Sequence, residues 1–221
     1  AQAGTAARIS TREVDKVLDS YTETQLASIL VEPRIDEGHQ FIYIHLPNQT
    51  LVYDANASRL VGVPVWFILS SHETSEAEYR ARNFVRVHDD WWVGDTQVSR
   101  LGKITDDLGE HWGIAVSWQF NTLIIYNEGN GAIFHELELI SLSHTDTTGT
   151  TTSISTQYSE DGETWSAAVP ITGAVPAGRN KNLTWLQNGS MGNWRLQRFL
   201  GDSTSRLSFA RLEARLEPLT V

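Results

Sequence analysis

The sequence predicts an all-β chain led by two short helices, and three observations carry that expectation. Apolar residues recur with period two from Gln40 almost to the C-terminus, as half-buried strands require. Clusters of Gly, Pro, Asn, Asp and Thr separate these runs at short intervals. The first thirty residues are the only region expected to be helical.

In chain order, Ser10 with Glu13 has the spacing of a capping box, and Val14, Val17, Leu18 and Tyr21 follow on one helical face. Thr22 with Gln25 repeats the box, and Leu26, Ile29 and Leu30 continue the apolar face up to Pro33. Two helices with a break at Ser20–Thr22 are expected. Each has one apolar stripe to bury against a neighbour, in this chain or another. QFIYIHL and TLVYD then form a hairpin turning at Pro47 and Asn48. VPVWFILS (Val63–Ser70) and YRARNFVRV (Tyr79–Val87) are further strands, and WWVGD with TQVSRLGKI forms a hairpin bending at Gly94 and Asp95. Up-and-down strands of this length suit four-stranded propeller blades, although no clean internal repeat is present.

YNEGNG (Tyr126–Gly131) marks a change of composition. Beyond it FHELELISL, TTSISTQYS, TWSAAV, NLTWLQ, WRLQRFL and SRLSFARLEARLEPL read as the short strands of a β-sandwich. The last segment also fits a helical period. Strand is preferred because Leu207 and Phe209, then Leu212, Ala214 and Leu216, alternate across one bulge at Ala210–Arg211. The expected organisation is a helical lead-in over residues 1–35, a partial β-propeller-like meander over 36–128, and a β-sandwich over 129–221.

Composition removes several function classes. No cysteine is present, so disulfides and thiolate metal sites are unavailable. No run approaches the roughly 18 apolar residues of a membrane span. The net charge of −10 lacks the basic footprint of a protein that grips nucleic acid. It suits a surface past which DNA slides without sticking, although composition alone favours the plainer reading of an ordinary soluble surface.

The motifs do not assemble an active site. SEDGETW (Ser159–Trp165) resembles the Asp-box of sialidases but is one residue short between Asp161 and Thr164. Asp161–Gly162 is itself a strong hairpin dipeptide, so a plain turn is expected. His135–Glu136 and His72–Glu73 do not complete His-Glu-x-x-His. In FHELELISL, alternation puts His135, Leu137 and Leu139 on one face. Three consecutive residues, His88, Asp89 and Asp90, cannot all face one ion from a strand. The pairs Asp89–Asp90 and Asp106–Asp107 lie in polar loops with nothing to bring them together. No serine elbow occurs, and Gly-rich NGSMGNW opens no helix. Adjacent Trp91 and Trp92 must point to opposite faces of a strand, leaving one as a candidate contact for a glycan or a protein.

At the level of whole segments the chain resembles the packaged-DNA stabilisation family of short-tailed Salmonella-type phages, tail accessory or tail hub proteins. Ser20–Tyr21–Thr22 between two helices, Ile44–His45–Leu46–Pro47 and Leu51–Val52–Tyr53–Asp54–Ala55 carry the resemblance. Tyr79–Arg80–Ala81 with Phe84, the Gly94–Asp95 turn, Gly102–Lys103 with Asp106, and Ser159 to Gly162 extend it. The similarity covers essentially the whole chain and the C-terminal half of the family protein.

The resemblance implies a non-enzymatic virion tail component, assembled in the host cytoplasm, that self-associates into a ring beneath the portal. It would join portal or head-completion protein to the tail, retain packaged DNA and form part of the ejection channel. Tail needle and tailspike are the other implied neighbours, double-stranded DNA is touched only passively, and no membrane, cofactor or metal is involved. The family offers no catalytic residues to carry over. Candidate interaction residues are Val14, Val17 and Leu18 on the helical stripe, Trp92, and Arg195 and Arg211 among the C-terminal arginines. Arg195, Arg198, Arg206, Arg211 and Arg215 alternate with Leu and Phe, which predicts one solvated sandwich face. The alternative reading is a sialidase-like module that binds or cleaves glycans.

Overall fold

The computed structural model describes residues 8–72, 77–106, 108–142, 152–173, 181–202 and 208–219, in two compact units, Ala1–Ile104 and Thr105–Val221. Arg206, Leu207, Glu73 and Asp107 lie outside the described residues.

In the first unit α1 (Arg12–Asp19) is capped by Thr11, whose side chain accepts from Val14 N, rather than by Ser10. α2 (Glu23–Leu26) has the expected capping box, with Thr22 and Gln25 bonded reciprocally. The helical segment ends there. Leu30–Asp36 is a strand, β1, that pairs antiparallel with β2 (His39–His45). Pro33 does not oppose this, because β1 is the edge of its sheet and an edge strand tolerates a missing donor.

β3 (Thr50–Asp54) and β4 (Val65–Leu69) complete a four-stranded antiparallel sheet in the order β1-β2-β3-β4. Between them lies a third helix, α3 (Ala55–Val61), so helix is not confined to the first thirty residues. Asp54 caps it by accepting from Asn56 N and Ala57 N, and Gly62 at φ 81° ends it in the left-handed conformation.

Ile44 and Leu51 belong to one face of this sheet, and with Leu46 they receive Val14, Val17, Leu18, Tyr21 and Ile29 from the helical segment. The second sheet, β5 (Ala81–Val87), β6 (Asp90–Asp95) and β7 (Leu101–Lys103), is a three-stranded meander. Asp95 closes its turn. Its carboxylate has no exposed surface and accepts from Arg80 Nε and Nη2 at 3.0 and 2.5 Å and from Arg100 Nε at 2.7 Å. Burial would raise its pKa, but hydrogen bonds from Arg80, the Gln97 amide and Arg100 prevail and hold it well below the ordinary value.

In the second unit β8 (Glu110–His111) pairs with β9 (Ile114–Ala115). β10 (Ser117–Asn121) and β11 (Ile125–Tyr126) both pair with β17 (Trp194–Asp202). The sandwich therefore begins upstream of Tyr126–Gly131, where composition alone had placed the boundary. One sheet runs β10-β17-β13-β14, with β13 at Thr152–Ser159 and β14 at Val169–Gly173. The other joins β12 (Ala132–Leu142) to β15 (Lys181–Leu186), β16 (Ser190–Met191) and β18 (Ser208–Pro218). Phe134, Leu137, Leu139, Leu183 and Trp185 of the second sheet meet Ile154 and Phe199 of the first in one core.

The final segment is a strand, and its register skips Ala210, as the expected bulge requires. A second irregularity falls between Phe134 and Glu136. It shifts the phase of β12, so Phe134 and Leu137 both point inward while His135 is displaced toward Glu217, with Nε2 2.8 Å from Oε2. His135 does not share a face with Leu137 and Leu139.

Candidate functional site

The proposed interaction residues separate into three environments. Val14 is 5% exposed and belongs, with Val17 and Leu18, to the core cluster built on the chain's own first sheet. The stripe closes an intramolecular interface and is not a free docking surface.

Arg195 is buried completely. It shares the inward face of β17 with Gln197 and Phe199, whereas Arg198, three residues on, occupies the opposite face. A single solvated arginine face on this strand is thereby excluded. Its guanidinium lies 4.0 Å from the ring centres of both Phe134 and Tyr158. Nε and Nη2 donate to Gln197 Oε1 at 3.0 and 2.7 Å, and Nη1 donates to the Asn188 carbonyl at 2.7 Å. No carboxylate pairs with it among the described residues. Burial lowers its pKa to about 10, against opposing influences from Tyr158 and Glu160, so it remains charged at neutral pH. The two π faces and three accepted N–H bonds replace water around the cation. Arg195 is a core strut.

Arg211 and Trp92 do reach the surface. The Arg211 side chain is 68% exposed and pairs with Glu213 at 2.5 Å. Along β18, Arg211, Glu213, Arg215 and Glu217 follow one another at every second position, and all four are exposed. Opposite them, Glu138 pairs in register with Glu213 and Glu136 with Arg215. Glutamates outnumber arginines on this ladder, so it has no basic stripe for phosphate.

Trp92 is 37% exposed on β6, while Val93 beside it is 4% exposed, which confirms opposite faces for successive residues. Val85 lies directly across from Trp92, and Leu101 pairs with Gly94 on the same side. Val85 and Leu101 are 54% and 74% exposed, so Trp92 sits in an open apolar patch. Sequence reading missed a second exposed apolar run, Leu60 and Val61 at the end of α3 and Val63 just beyond it, with Phe67 and Ile68 on the edge strand β4.

The Asp-box-like stretch is a turn held by its own side chains. Asp161 Oδ1 accepts from Glu163 N and Thr164 N at 2.8 and 2.6 Å and from Ser159 Oγ at 2.9 Å. Ser159 Oγ in turn accepts from Gly162 N, where φ is 81°. The Thr164 and Glu163 amides in particular hold the Asp161 pKa well below the ordinary range. Asp161 is consumed by the turn and has no proton to give in acid catalysis. Trp165 beyond it is covered by the Arg198 guanidinium, 3.4 Å from the ring centre.

A surface depression of about 440 Å³ between Ser20, Tyr21, Gln25, Asn48 and Gln49 is lined by neutral groups only. No group of three His, Asp or Glu among the described residues is placed to hold a metal ion.

Sequence comparison agrees with this two-part architecture. Residues 1–109 match the family model described as "Bacteriophage P22 Gp10, beta-propeller" and residues 117–217 the one described as "Bacteriophage P22 Gp10, beta-sandwich". The "Tail hub protein gp10" of Salmonella phage P22 is 28% identical over 109 residues, which are 49% of this chain and 22% of that protein. The matched segment thus spans about a fifth of the relative's length. With both models matched in order along one polypeptide, the chain belongs to the bacteriophage P22 Gp10 family, as a β-propeller segment followed by a β-sandwich.

Proposed function

We propose that this chain is a structural, non-enzymatic component of a phage tail and part of the virion, acting through protein–protein surfaces. The observation that carries the reading is the match of both family domains in order, together with the similarity of about half of the chain to a tail hub protein. Open apolar patches around Trp92 and along Leu60–Ile68 are the kind of surface that assembly covers. In the finer form of the proposal, the protein self-associates into a ring between portal or head-completion protein and the tail needle and tailspikes. It retains packaged DNA as a passive wall of the ejection channel. A net charge of −10 and a glutamate-rich β18 ladder favour a wall that does not adhere to the genome.

Sedimentation of the purified chain, alone and mixed with portal and head-completion complexes, tests the assembly. Concentration-dependent self-association or co-sedimentation is expected. A chain that stays monomeric at high concentration and ignores both complexes would contradict the proposal.

A further inference from the structure

We propose that Glu32 and His45 form a proton-operated latch between the two sheets of the N-terminal unit. Glu32 leaves the first sheet from β1 and accepts from two backbone amides of β5, Asn83 N on Oε2 and Phe84 N on Oε1, both at 3.2 Å. These amides sit where the β5–β6 register slips between Arg82 and Val85, and Asn83 has φ 58°. A bulge leaves such donors without a strand partner, and one carboxylate from the neighbouring sheet satisfies both. The Tyr43 and Phe84 rings, 4.6 Å apart, close the same seam.

His45 lies against this clasp with a completely buried side chain. Its Nε2 is 3.1 Å from Glu32 Oε2, yet it makes no aligned hydrogen bond. The groups facing the imidazole are few. Glu32 comes from β1, and the Arg82 guanidinium, held by Glu78 at 2.9 Å, comes from β5. The Thr50 hydroxyl from β3 is 3.4 Å from Nδ1, and the rings of Tyr43 and Phe84 stack beside it. Tyr79 packs on Tyr43, and its amide donates to Thr50.

At neutral pH the imidazole is neutral and the carboxylate serves the two amides. Burial, with Arg82 adding to it, lowers the His45 pKa to about 4. The folded value lies below the ordinary 6.5, so the seam is at full strength above that value. It weakens as pH falls from there toward the folded value. A proton on Nε2 places a cation beside Oε2, and the carboxylate that turns to meet it gives up its alignment with the Asn83 amide.

Amide hydrogen exchange of the whole chain, followed from about pH 7.5 to about 5 and corrected for intrinsic rates, reads the latch directly. Asn83 and Phe84 are expected to lose about tenfold protection or more over that range. His45→Gln should hold protection constant over that range, and Glu32→Gln should lower it already at neutral pH. Unchanged protection in the parent, or the same acid step in His45→Gln, overturns the proposal. If His45→Gln does not fold, the His45 imidazole resonances of the parent decide. A titration midpoint below the ordinary value is expected, and one at or above it overturns the latch.

Discussion

Arg195 shows how a residue type misleads when its strand phase is unknown. WRLQRFL offers arginines at Arg195 and Arg198, and pattern alone treats both as solvent-facing. Their odd spacing sends them to opposite faces of β17, and the neighbours decide which is buried. Phe134 and Tyr158 supply π faces, and Gln197 and the Asn188 carbonyl accept its protons. Arg195→Ala would strand those acceptors and leave a void, costing about 3 kcal/mol in denaturant unfolding. Arg195→Lys should also destabilise, since a point donor cannot span both acceptors while lying between two rings. Wild-type midpoints for both variants would show that the guanidinium is no strut.

Close backbone approach gives a second residue-scale expectation. A Cβ at Gly201 would lie 2.7 Å from the Ser153 carbonyl and 2.9 Å from the Trp118 ring. Gly201→Ala should therefore lower the midpoint, because the nearer obstacle is backbone. Asp95 adds an acid limb. Its folded pKa lies below the ordinary 3.8, so its contribution is complete above that value and is lost as pH falls further. Asp95→Asn should flatten the pH dependence of stability below about pH 4 while lowering stability at neutral pH.

Elements were legible where local chemistry and tertiary packing agree. The Thr22–Gln25 capping box, the hairpin at Pro47–Asn48 and the strand with a bulge at Ala210 were all readable in the sequence. The third helix was signalled by Asp54 before it and Gly62 after it. It was masked because its seven residues lie between two strongly apolar strands. β1 was hidden for the opposite reason. Leu26, Ile29 and Leu30 extend a helical period, and only pairing with β2 turns Leu30–Asp36 into an edge strand. The seam made by Glu32 was illegible because its partners are backbone amides some fifty residues away, and no side-chain pattern announces them. The helical stripe was read correctly as needing cover, and the first sheet provides it. Val14→Asp should place a carboxylate against Leu46 and Leu51 and cost about 3 kcal/mol. A thermal melt equal to the parent's would mean that the helices do not dock on the sheet in solution.

For the whole molecule, charge and surface make opposite contributions to partner choice. Twenty-seven acidic residues against seventeen basic ones oppose phosphate, and the exposed arginines of β18 alternate with glutamates. Duplex DNA should bind more weakly than the roughly 10⁻⁴–10⁻⁶ M of non-specific binders, with little salt dependence in gel shifts. Tight binding that weakens steeply with salt would mean that DNA is gripped directly. The apolar patches, by contrast, invite protein. Both fit the proposed role, in which a tail component would meet its neighbours through apolar surface and leave the genome free to pass. Immunogold labelling of intact virions with antibody against this chain tests that account most directly. Gold confined to the tail vertex is the predicted result, and virions that contain the chain nowhere, or carry it only on the capsid shell, would contradict it.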